Sequence, residues 1–101
     1  MGLWPRAAKP KLEGGRTYRH AGHVAWRRVD GEVVVLDLNT SAYFALDDAG
    51  ALIWERLGAG DSLEDVQVAV CKEYAVEPEA AHRDLEALVR DMLKAKMIES
   101  R

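Results

Sequence analysis

The chain has 101 residues, a formal net charge of −3, 49 % hydrophobic and 31 % charged residues, and one cysteine. That length supports one core and not two, and the composition is that of a folded globular domain rather than a disordered segment. The lone Cys71 excludes an internal disulfide, and no apolar run approaches the roughly 20 residues that cross a bilayer.

The first residues carry no apolar segment of the secretory type, and Met1-Gly2 is followed by Arg6 where a myristoylation motif needs Ser or Thr. The expected location is the cytoplasm. Charge is distributed unevenly. Residues 1–28 hold seven bases and one acid, Glu13, a net of +6, whereas residues 29–101 hold seven bases and 16 acids, a net of −9. An acidic globular part does not suit broad nucleic-acid binding, and no membrane contact is expected.

Pro5, Pro10, Gly14 and Gly15 interrupt a segment with no hydrophobic period, so residues 1–17 read as a flexible basic arm and 18–101 as the domain. Leu3 and Trp4 are the apolar exceptions in that arm. From Tyr18 to Val29 a weak alternation predicts a first strand. Asp30-Gly31 is a two-residue hairpin signal, and Glu32 to Leu38, with Val33, Val34, Val35 and Leu36 in a row, is the second strand. Asn39-Thr40-Ser41 forms a turn, and Ala42 to Leu46 is the third strand. The periodicity then changes from two to 3.6. Asp47 or Asp48 caps a helix in which Ala49, Leu52, Ile53, Arg56 and Leu57 share a face with Trp54 on its flank, and Gly58 and Gly60 end it. Ser62 caps a second helix with a buried stripe of Leu63, Val66, Val70 and Tyr74. Pro78 opens a third, whose apolar face is unusually wide: Ala81, Leu85, Leu88 and Met92 with Val89 and Leu93 alongside. Met97-Ile98 folds back on the core. The predicted architecture is α+β, a three-stranded antiparallel meander followed by three helices.

Residue chemistry offers little support for catalysis. His20 and His23 are two ligands where zinc needs three or four, and they read as surface histidines. Cys71 beside a buried stripe reads as an apolar filler. The pairs Asp47-Asp48 and Glu64-Asp65 are explained by capping, and Gly58-Ala59-Gly60-Asp61 lacks the lysine of a phosphate loop. No enzyme activity, cofactor or metal is expected. Two features remain. One part of the third helix face could serve the core while another lines a groove, or both could be core. The third strand ends the meander, and Ala42-Tyr43-Phe44-Ala45-Leu46 carries none of the charges, prolines or bulges that blunt a free edge. An unprotected edge beside an apolar helix is what strand addition of a peptide requires.

The text from Asp37 through Thr40, Tyr43, Leu46, Gly50 and Ile53-Trp54-Glu55-Arg56-Leu57, continuing into Ser62 to Val66, Tyr74, Asp84-Leu85, Leu88, Val89 and Met92, resembles PqqD-like proteins, also called RiPP recognition elements. The likeness runs over residues 25–98. It implies a winged-helix-like fold and non-catalytic recognition of the leader segment of a ribosomally made precursor peptide. It implies that the leader adds to the third strand at Ala42, Tyr43, Phe44, Ala45 and Leu46. An apolar wall of Leu85, Leu88, Val89 and Met92 then faces it, with Arg83 and Arg90 as partners for leader carboxylates. The partners implied are the precursor and a leader peptidase or other maturation enzyme. The tyrosine-bearing third strand followed by Leu46-Asp47-x-x-Gly50 looks nearer the lasso-peptide type than the radical-SAM type. A winged-helix DNA-binding protein is the competing reading, and the free edge allows a monomer or a weak or domain-swapped dimer.

Overall fold

The computed structural model describes residues 14–101; the expectations for Leu3, Trp4 and the arm as far as residue 13 lie outside the described residues. The elements are β1 (Tyr18–His20), β2 (Val24–Val29), β3 (Glu32–Asp37), β4 (Tyr43–Leu46), α1 (Asp48–Gly58), α2 (Leu63–Tyr74), α3 (Pro78–Lys94) and β5 (Ile98–Ser100). β2, β3 and β4 form the antiparallel meander in that order, and three helices follow, as the pattern predicts. The predicted first strand is in fact two elements. Ala21 is buried and its N–H donates to the Met97 carbonyl at 2.9 Å. The chain is therefore committed to the C-terminal segment before β2 starts, and β1 pairs antiparallel with β5, Tyr18 opposite Ser100 and His20 opposite Ile98. Main-chain bonds reach further back. The N–H groups of Glu64 and Leu63 donate to the carbonyls of Gly14 (3.0 Å) and Arg16 (3.3 Å), and Arg101 N–H donates to Thr17 (3.1 Å).

Helix boundaries follow local chemistry. The Asp47 carboxylate accepts from Gly50 N–H at 2.9 Å and Ser62 Oγ accepts from Asp65 N–H at 3.2 Å, so both predicted caps form. α2 ends at Ala75 in the left-handed conformation, φ 50°. Glycine normally fills that position because a Cβ there costs about 1–2 kcal/mol. We therefore predict that Ala75→Gly raises the melting temperature, against the usual sign of an Ala→Gly change; differential scanning calorimetry checks it.

Trp54 is the centre of the core. It is fully buried together with Leu57, Val33, Val35, Val66 and Val89. Period alone put it on the flank of α1. That helix is covered by the meander on one side and by β1 on another, so its buried arc exceeds a single stripe. Tyr74 departs the other way: it is 39 % exposed, on the last turn of α2, where it lines a cavity of about 310 Å³ with Arg28, Asp48 and Glu73.

His20 is likewise not a surface histidine. Its ring stacks on Trp54 with centroids 3.7 Å apart and planes 9° from parallel, and its Nε2 lies 2.9 Å from the Trp54 carbonyl. A carbonyl only accepts, so that nitrogen carries the proton. A Cβ at position 58 would run into the imidazole, which explains glycine at the end of α1. Burial holds the His20 pKa below its ordinary 6.5, outweighing the Trp54 hydrogen bond that acts in the opposite sense. The fold thus prefers the neutral ring. As pH falls through 6.5 the unfolded chain takes up the proton first. His20 therefore costs stability from there down to its lowered folded value, and no more below it. Melting curves between pH 7.5 and 5.5, values chosen to bracket roughly the ordinary histidine range, should fall more steeply for the wild type than for His20→Phe.

Candidate functional site

The candidate site takes in the last strand of the meander, β4, and the third helix, α3. β4 is placed by its turn. Asp37, buried at the end of β3, accepts from the N–H groups of Asn39 (2.8 Å) and Thr40 (3.1 Å), and Ser41 takes a positive φ of 66° to bring the chain back. Burial pushes the Asp37 pKa up, but these two N–H groups and the His23 ring outweigh it, so the carboxyl lies below its ordinary value. The charged form therefore holds the turn.

Strand pairing fixes which way each β4 residue faces. Val35 lies opposite Phe44 and Val33 opposite Leu46, so Phe44 and Leu46 share the inner face with the core valines. Tyr43, 72 % exposed, and Ala45 point outward. The main chain alternates as well. Asp37 N–H donates to the Ala42 carbonyl at 2.8 Å, so the ladder bonds of this pair fall at Ala42, Phe44 and Leu46. The N–H and C=O groups of Tyr43 and Ala45 then point away from β3, to the open side of the sheet. The opposite edge, β2, carries Arg27 and Arg28, both exposed, which protect it. β4 has no such charge.

α3 offers a narrower apolar surface than its pattern suggests. Ala81, Leu85, Val89 and Met92 are 0–3 % exposed and belong to the core. Leu88 and Leu93 are half-buried at its margin, with Phe44 and Leu46 of β4 among the other apolar residues there. At 100° per residue Leu88 and Leu93 lie about 140° apart round the helix. The Leu93 side carries His82 and Glu86 and faces α2, where His82 Nδ1 meets Gln67 Oε1 at 3.0 Å. The Leu88 side faces away from α2. Arg83 is exposed in a cavity with Pro78, Glu79, His82, Glu86 and Gln67, and Arg90 reaches Glu86 at 3.5 Å. Both arginines lie about 140–160° from Leu88.

The predicted residues thus fall into three groups. Ala42, Tyr43, Phe44, Ala45 and Leu46 come together as one open edge, with Leu88 on the flank of α3 away from α2. Leu85, Val89 and Met92 are interior. Arg83 and Arg90 stand on the other side of α3. Among the described residues no three of His, Cys, Asp and Glu gather into a metal-binding group, and no helix is long and apolar enough to cross a membrane.

Residues 32–98, from the first residue of β3 to the first of β5, match the family described as Coenzyme PQQ synthesis protein D (PqqD). The chain belongs to the PqqD family. Its match includes the open strand and all three helices. Two solved structures resemble it. TbiB1 in complex with the TbiA(beta) leader peptide is 34 % identical with a TM-score of 0.76, over 80 % of this chain and 94 % of that one. Lasso peptide synthetase B1 complexed with the leader peptide is 34 % identical with a TM-score of 0.75, over 81 % of this chain and 96 % of that one. No curated protein matches the chain.

Proposed function

We propose that this PqqD-family protein is a non-catalytic recognition element. It binds the leader of a ribosomally made precursor peptide, of the lasso type, and delivers it to a maturation enzyme such as the leader peptidase. The observation that carries the reading is the unprotected β4 edge, in a chain 34 % identical over most of its length to two proteins solved with leader peptides. A leader strand bonds to the outward N–H and C=O groups of Tyr43 and Ala45. Its residues opposite Tyr43 and Ala45 then share the outer face, and those opposite Ala42, Phe44 and Leu46 turn inward beside Leu88. Main-chain bonds supply sequence-tolerant affinity, and the inward residues supply selectivity. Leu85, Val89 and Met92 contribute by holding α3 in place.

The DNA-binding alternative has less support. A DNA-reading helix needs a basic surface, and α2 exposes Glu64, Asp65 and Glu73 against Lys72 alone. Fluorescence anisotropy with a labelled leader peptide from a precursor encoded beside this gene tests the reading. Saturable binding by roughly tens of micromolar, a free energy near −6 kcal/mol or better, supports it. Absence of binding to the leader, or salt-sensitive binding to duplex DNA instead, contradicts it.

A further inference from the structure

The Leu88 flank of α3 has an uneven charge. Asp84 and Asp91 stand four residues before and three after Leu88, the spacings that share one helix face. Both are exposed, and among the described residues neither carboxylate has a hydrogen-bond or ion-pair partner. The other flank differs: Glu86 there meets both His82 (3.4 Å) and Arg90 (3.5 Å). All three cations of α3, Arg83, Arg90 and Lys94, lie about 120–160° round the helix from Leu88. The surface beside the half-buried apolar contact therefore carries two acids without an ion pair among the described residues, and Lys94, three residues beyond Asp91, is the nearest cation of the helix.

We infer that this chain selects a leader with a basic side chain on the inward-facing register of its strand, two positions from the apolar residue that meets Leu88. The inference rests on the proposed docking at β4 and specifies the peptide's chemistry. The dimensions agree. Asp84 and Asp91 are about 10 Å apart along the helix. Two inward strand positions are about 7 Å apart. An Arg or Lys two residues before or after the central apolar residue, with its long stem, spans the difference. Its aliphatic part covers Leu88 while its head meets an aspartate. An acidic leader residue at the same place meets two unpaired carboxylates and is excluded.

The test uses random dodecapeptides displayed on their own messenger RNA and selected in parallel on three proteins: wild type, Asp84→Asn/Asp91→Asn, and Ala45→Pro. Peptides retained by the wild type but not by Ala45→Pro should show an apolar residue with Lys or Arg two positions away. The double asparagine variant should keep the apolar preference and lose the basic one. It should bind the selected basic peptides about 1.5- to 5-fold more weakly at low salt, the worth of one exposed ion pair, with the difference shrinking as salt is added. If wild type and the double variant retain the same peptides with no basic excess, and Ala45→Pro still loses them, the charge selectivity is wrong and the docking edge stands. If Ala45→Pro retains what the wild type retains, or the wild type retains nothing, the docking at β4 is wrong and the inference falls with it.

Discussion

Ala45→Pro is expected to abolish most peptide binding and leave the domain folded, while Phe44→Pro, one residue earlier, unfolds it. The Ala45 N–H points to the open edge, where a proline ring costs the sheet no ladder bond. It removes one donor from the incoming strand and places ring carbons in its path. Loss of a hydrogen bond plus that steric conflict is worth about 1.5–3 kcal/mol, or roughly 10- to 100-fold in affinity. The residue before it, Phe44, is extended already and accommodates the change. Phe44 itself lies opposite Val35 in a bonded pair, with its side chain against the core. Proline there removes a ladder bond and the aromatic packing together. Circular dichroism and anisotropy on the two variants separate the outcomes. Equal effects of both substitutions on folding would mean that the β4 ladder alternates the other way.

The second large contrast lies on α3. Leu85→Ala should destabilise by about 2–5 kcal/mol, because Leu85 is 2 % exposed and its truncation leaves a cavity. For a domain of this size that lowers the melting temperature by roughly 10 °C or more. Leu88→Gln keeps the helix propensity and alters a half-buried position. It should shift melting by only a few degrees, about 1 kcal/mol or less, yet weaken leader binding about tenfold through the lost apolar contact. Peptide still bound by folded Leu85→Ala with unchanged affinity would assign that residue to support alone. Unchanged binding by Leu88→Gln would remove the α3 flank from the site.

These contrasts mark how far the sequence reaches. The meander, the three helices and both caps follow from patterns of five or more residues, long enough for a period to register. The same is true of the edge position of Ala42 to Leu46, because a sequential meander leaves its last strand unpaired on one side. The β1–β5 pair escapes the pattern, since three residues are too few to alternate visibly and the partners lie 78 or more positions apart. His20 shows a different limit. As one half of His20-x-x-His23 it suggests a surface residue, but its environment is made by Trp54 and Gly58, which only the tertiary fold brings to it. On α3, period identifies six apolar positions but does not orient them. The sheet and α2 decide that Leu85, Val89 and Met92 are interior and leave Leu88 at the margin. Arg83 and Arg90 carry the charge a leader carboxylate would want, yet a 3.6-residue period puts them on the far side from Leu88.

Amide hydrogen exchange at β4, read residue by residue by nuclear magnetic resonance with and without leader peptide, addresses the strand-addition mechanism at its atoms. In the free protein the Phe44 and Leu46 amides, bonded to β3, should exchange slowly, and those of Tyr43 and Ala45 should exchange quickly. Saturating leader should slow Tyr43 and Ala45 to the rate of their neighbours. Unaltered exchange at Tyr43 and Ala45 in the presence of bound leader would contradict docking by strand addition at this edge.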